Sequence, residues 1–110
     1  MNKIRRREIS LIICQLDNLL ELLYSEGINE VILKLDNIKN NIQIVLDDEE
    51  YYFNNIPENL QNGSRYDASE DAINNLEDSI EYLDNINNGC CLEEIQEYIN
   101  NAIKYLNYCI

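Results

Sequence analysis

The chain has 110 residues, 45% of them apolar, with 21 acidic and eight basic residues, a formal net charge of −13 and no histidine. Such a length and apolar content suit one domain with one modest core and exclude a long low-complexity tract. The acidic excess disfavours a broad basic footprint on nucleic acid or on an anionic membrane and favours a partner with a basic surface, while the missing histidine removes the commonest general base.

The first segment, "NKIRRREISLIICQLDNLLELLY", holds Lys3, Arg5, Arg6 and Arg7, and beyond residue 7 the chain carries four basic against 21 acidic residues, net −17. An apolar run behind a basic start is the pattern of a secretory leader or a membrane anchor. Gln15, Asp17, Asn18 and Glu21 interrupt the run, however, and no small-residue cleavage site follows. The spacing therefore predicts a helix over about residues 3–24 that buries most of its circumference, in a cytosolic protein. The basic arm is expected to pair with carboxylates of this chain or of a second copy, with a nucleic-acid contact as the alternative. Ser25, Glu26 and Gly27 break the helix, and three residues leave open whether the chain turns there or only kinks.

The second segment has the cleanest period. Ile28, Val31, Leu35, Ile38, Ile42 and Val45 step by three and four in alternation, the spacing of an apolar seam on one helix face. Glu49 takes the next slot in that seam before Tyr52 and Ile56 resume it, so a helix is predicted over 28–55, ended by Pro57. "IQIVL", Ile42 to Leu46, alternates briefly but lies inside the helical register.

A third helix is predicted over 67–87, with Ile73, Leu76, Ile80 and Leu83 in the seam, Asp67 or Ser64 as its N-cap and "NNG", Asn87 to Gly89, as its stop. A fourth, over 91–109, carries Leu92, Ile95, Ile99, Ala102, Ile103, Leu106 and Cys109. The expectation is one all-α domain over residues 1–110, an antiparallel helical hairpin or four-helix bundle with coiled-coil-like seams, and a homo-oligomer, a dimer, where those seams outrun their internal partners.

No catalytic or metal signature emerges. Cys14, Cys90, Cys91 and Cys109 form no C-x-x-C pair and have no histidine to complete a zinc site. They read as reduced, structural thiols, with Cys91 the most reactive if it falls at a helix N-terminus, where the thiolate is favoured. Acidic pairs three apart recur, as in Asp67 with Glu70, Asp78 with Glu81, Glu81 with Asp84 and Glu94 with Glu97, but Glu77, Asp78, Glu81 and Asp84 flank or oppose the apolar seam instead of joining it. We expect no cofactor, no metal and no enzymatic activity.

Between the second and third segments lies a polar elbow, "NNIPENLQNGSRYD", Asn54 to Asp67, with the only proline of the chain. Pro57, Glu58, Asn62, Gly63 and Arg65 mark a break, a turn and a restart. The order of motifs, "NKIRRRE" at Asn2 to Glu8, "DDEEYYFNNIPENLQ" at Asp47 to Gln61, Arg65, and the heptad-like "AINNLEDSIEYL" at Ala72 to Leu83, resembles small acidic proteins of unknown role encoded by bacteriophages and mobile elements of Gram-positive bacteria. The separate first helix with its glycine break and the segment from Cys91 onward depart from that pattern. The resemblance implies action in the cytoplasm of a bacterial host, where such proteins bind and disable a host protein or assist phage assembly.

Candidate partner-binding residues follow from charge and aromaticity: Asp47, Asp48, Glu49, Glu50, Tyr51 and Tyr66 around the elbow, and the row Glu70, Glu77, Glu81 and Asp84 on the third helix. A row of carboxylates at one- and two-turn intervals imitates phosphate spacing and suits a basic channel, as in a defence nuclease; a solvated helix face has the same composition. Tyr52 and Phe53 are expected to close the end of the core, and Tyr82, Tyr98, Tyr105 and Tyr108 to lie at its margin. A structural coiled-coil protein without a host target is the alternative function. Sequestration of an anionic small ligand is opposed by the negative field unless a local pocket near Arg65 overrides it.

Overall fold

A computed structural model describes residues 1–110. Four helices follow one another, α1 (Lys3–Ser25), α2 (Ile28–Asn54), α3 (Ser64–Asp84) and α4 (Leu92–Asn107), with one 3-10 turn, Glu58–Leu60, between α2 and α3. There is no strand. Neighbours in sequence pack side by side, and α4 returns against α1 to close the ring. Contacts between opposite helix ends fix the directions. Arg5, early in α1, meets Glu49, late in α2, and Ser69, early in α3, meets the same carboxylate. Tyr24, at the end of α1, donates a 2.7 Å hydrogen bond to Gln96, early in α4. The molecule is thus an up-down-up-down four-helix bundle, 51 × 22 × 18 Å in extent.

Each helix contributes one stripe to a continuous core. Ile9, Ile12, Leu16, Leu19 and Leu23 come from α1, and Val31, Leu35, Ile38, Ile42 and Val45 from α2. From α3 come Ile73, Leu76 and Leu83, and from α4 Ile95, Ile99, Ala102 and Leu106. Most residues of the seams expected on α2, α3 and α4 are buried, with Ile28, Ile80, Leu92 and Ile103 half-buried at their margins, because a 3.6-residue period returns only one side of each helix to the axis of the ring. For the same reason α1 does not bury most of its circumference. Leu11 and Cys14 lie on its outer side and are exposed.

The break at Ser25 to Gly27 turns the chain. Gly27 is the one residue with positive φ, at φ 93 and ψ 180, a region open essentially to glycine, and this allows two long helices to reverse across two residues. Several helix ends differ from expectation. α3 begins at Ser64 with Gly63 as N-cap, so Asp67 sits in the first turn, where its charge suits the helix dipole. α3 ends at Asp84, before the Asn87–Gly89 signal, and Gly89 has no positive φ. The chain leaves the helix early and Ile86 folds back into the core, where it is buried. Asn87 Oδ1 accepts the Gly89 N–H at 2.8 Å in the turn that follows.

Candidate functional site

Charge on the surface is largely unpaired. Asp47, Asp48, Glu70, Glu77, Glu81 and Asp84 are exposed and Glu50 is half-buried. Lys39 is the only cation that meets any of them, 3.2 Å from Asp84, and it also lies 3.5 Å from Asp36. The four carboxylates of α3 lie on its solvent side, as the sequence spacing requires. No group of three or more His, Cys, Asp or Glu side chains converges on a point that suits a metal ion.

Glu49 is a correction. Its slot in the α2 seam directs it into the bundle, where it is fully buried, so it is no part of a partner-facing acidic cluster. Arg5 Nε lies 2.9 Å from Glu49 Oε2, and Ser69 Oγ donates to Oε1 at 3.3 Å. The Met1 ammonium is 3.9 Å from Oε1. Arg5 Nε and Glu49 Oε2 are both buried yet lack a hydrogen bond, so their attraction is coulombic and the N–H is not aimed at the oxygen. The basic arm therefore divides: Arg5 is an internal counter-charge, whereas Lys3, Arg6 and Arg7 stay exposed without an ion pair.

The aromatic residues also divide. Tyr66, expected as a partner anchor, is half-buried with its ring 4.5 Å from that of Phe53. Phe53 packs on the core as expected. Tyr52 does not close the core; it is 37% exposed and lies under the Arg5 guanidinium, 5.4 Å from ring centroid to carbon. Tyr51 is free, 74% exposed. Of the four tyrosines expected at the core margin, Tyr82, Tyr98 and Tyr105 are half-buried, while Tyr108 is exposed.

At this end of the bundle the elbow folds over the end of α2 and the start of α3, leaving an open pocket of about 720 Å³. Pro57, Gly63 and Arg65 line it, and Glu58 and Asn62 lie outside its wall. Arg5, Asp48, Tyr51 and Tyr52 complete the far side, with Ile56 and Leu60 below the elbow. Sequence reasoning singled out Arg65 and Tyr51 but not Arg5, because only the reversal of α2 against α1 brings residue 5 beside residue 49.

The thiols are quiet. Cys91 is the N-cap of α4, and its backbone N–H donates to Glu94 Oε1 at 3.0 Å. Its pKa is raised, against expectation: the Glu94 backbone N–H favours the thiolate, but the Glu94 carboxylate beside the sulfur, desolvation and Glu93 together outweigh it. In return, the Cys91 backbone N–H and thiol hold Glu94 below the usual carboxylate range. Burial, then the charge of Glu49, pushes the Cys109 thiol up to about 11.

No family model, no curated protein and no solved structure matches this chain. No helix is long and apolar enough to cross a membrane.

Proposed function

We propose that this chain is a non-enzymatic binding protein of a bacteriophage or mobile element, acting in the cytoplasm of a bacterial host, and that it inhibits a host protein with a basic surface. A defence nuclease with a basic nucleic-acid channel fits that chemistry. The observation that carries the reading is unspent charge: only Asp36, Glu49 and Asp84, of 21 acidic side chains, have a cation within ion-pair distance. A negative field that the fold leaves uncompensated attracts a cationic surface and repels phosphate backbones. In this reading Glu70, Glu77, Glu81 and Asp84 occupy phosphate positions in the channel, with Asp47, Asp48 and Tyr51 at the rim.

The test is capture of partners by the tagged chain from a lysate of a bacterium that carries defence systems, at low and high salt. A nucleic-acid-binding protein recovered in stoichiometric amount, released by salt and lost when Glu70, Glu77, Glu81 and Asp84 are changed to their amides, is the expected result. Recovery of the chain alone, or of phage structural proteins, sinks the reading.

One observation favours self-association, whether as a dimer of the inhibitor or as the structural protein of the alternative reading. The outer groove between α1 and α2 exposes Leu11, Leu33 and Ile44 at 61%, 72% and 58%, flanked by the neutral Gln15, Asn18, Asn37 and Asn41. Its only charges are Glu8 at one end and Lys34 at the other. A two-fold axis through the middle sets Glu8 of each copy against Lys34 of the other and Leu33 between Leu11 and Ile44 of its mate. Sedimentation of the wild type as a dimer and of Leu33→Glu as a folded monomer supports this face; a wild-type monomer at all concentrations rejects it.

A further inference from the structure

We propose that the elbow pocket binds a small aromatic phosphate of the nucleoside monophosphate kind, a flat ring joined to one anionic group. The proposal goes beyond the reading above: it uses a cationic and aromatic wall and none of the acidic row on α3, and shares with that reading only Asp48 and Tyr51.

Size is the first argument. At about 720 Å³ the pocket falls within the roughly 300–1,000 Å³ typical of small-ligand sites, and it is the largest in the molecule. Charge is the second. In a chain of net charge −13, two guanidiniums, Arg5 and Arg65, and one carboxylate, Asp48, line this pocket; the Arg5 charge is balanced from behind by Glu49, so Arg65 is its unpaired cation. Local charge at contact distance prevails over a diffuse field of opposite sign, because exposed charges further away than about 8 Å are screened at physiological salt.

The two arginines differ in a useful way. Arg5 is held in place from behind by Glu49 at 2.9 Å and against the Tyr52 ring, with its Nε buried on the Glu49 side. It is a pre-organised donor whose ordering cost is met on folding. Arg65, in the first turn of α3, is exposed and unpaired and is free to close on an anion from the other side. The first turn of α3 has no side-chain cap, and Gly63, Ser64 and Arg65 at its start line the pocket.

Apolar surface supplies the rest. Tyr51, Tyr52 and Leu60 are exposed, and with Pro57 they line the pocket. Nothing in the bundle packs on the outer faces of Tyr51 and Leu60, so a ring that slides between them removes apolar surface from water, as bases do on tyrosine in single-strand binding sites. An anion alone would leave those walls wet, and a neutral ring would leave the Arg65 guanidinium unanswered. A ligand with both parts answers both.

The experiment is isothermal titration of the full chain at physiological salt with the four common nucleoside monophosphates, with adenosine and with inorganic phosphate. At least one monophosphate is expected to bind once per chain and about tenfold or more tighter than either adenosine or phosphate. Arg65→Ala and Tyr51→Ala, both at exposed positions and checked by circular dichroism, should each weaken that binding by about tenfold. Asp48→Asn, which removes the one repelling carboxylate, should tighten it. No saturable binding of any monophosphate, binding no tighter than that of phosphate alone, or binding that survives both Arg65→Ala and Tyr51→Ala would overturn the proposal.

Discussion

A single side chain decides how the elbow end of the bundle is held. Glu49 is fully buried and compensated by Arg5 Nε, Ser69 Oγ and the Met1 ammonium. Burying a charge is tolerated only while the partner remains, so removal of one member strands the other in a low-dielectric site. Glu49→Ala should therefore lower the unfolding free energy by about 3–5 kcal/mol, whereas the double change Arg5→Met with Glu49→Met should be close to neutral. Urea unfolding of the three proteins checks this, and equal losses in the single and double variants would contradict it. Cys109 gives a second expectation. Its pKa is raised from 9.0 to about 11 by burial and by Glu49, so the native state holds the neutral thiol. Its stabilising share is complete below about pH 9 and is lost as the pH climbs to about 11. The urea midpoint of the wild type should fall more steeply across that window than that of Cys109→Val, while parallel slopes would remove the thiol from the account.

At the scale of the helices, the seams were legible and the ends were not. The step of three and four from Val31 to Val45 fixed the buried side of α2, because apolar residues at that spacing share a face whatever they pack against. The ends of α3 depend on tertiary competition: Ile86 gains more from burial than from another helical turn, so the helix stops at Asp84 and not at the glycine signal. The turn between α1 and α2 rests on Gly27 alone. A Cβ added there meets nothing within 4 Å, so the effect of Gly27→Ala is conformational: φ 93 with ψ 180 is strained for any other residue by about 1–3 kcal/mol. A thermal melt of Gly27→Ala should show that loss, with Gly89→Ala, at a position without positive φ, much less affected. Similar losses in both would mean that the reversal does not depend on the backbone of Gly27.

The whole molecule carries its charge as a burden on folding. With −13 spread over a body 51 Å long and 22 Å wide, and only the Lys39 contact to relieve the α2–α3 surface, self-repulsion opposes the compact state. Raising sodium chloride from about 0.01 M to about 0.5 M shortens the screening length from roughly 30 Å to less than 8 Å. The melting temperature should rise by several degrees, as measured by circular dichroism; a fall would indicate that attractive pairs, chiefly Arg5 with Glu49, outweigh the repulsion. The same charge distribution underlies the proposals made above, a second copy on the neutral α1–α2 groove and a basic partner on the acidic α3 face.

By itself the sequence determined the helix count, the side that α2, α3 and α4 bury and the placing of the acidic row on a solvent face, because helical periodicity is local and needs no partner to be read. It also marked Glu49 as an acid in an apolar slot, though without its counter-charge. Only the tertiary structure decided that Ser25 to Gly27 is a reversal, that Arg5 pairs with Glu49, and that Arg5, Tyr51 and Arg65 surround one pocket. Those pairings span up to 60 positions of the chain and depend on the order in which four amphipathic helices close their ring, a choice made by the packing of all four together.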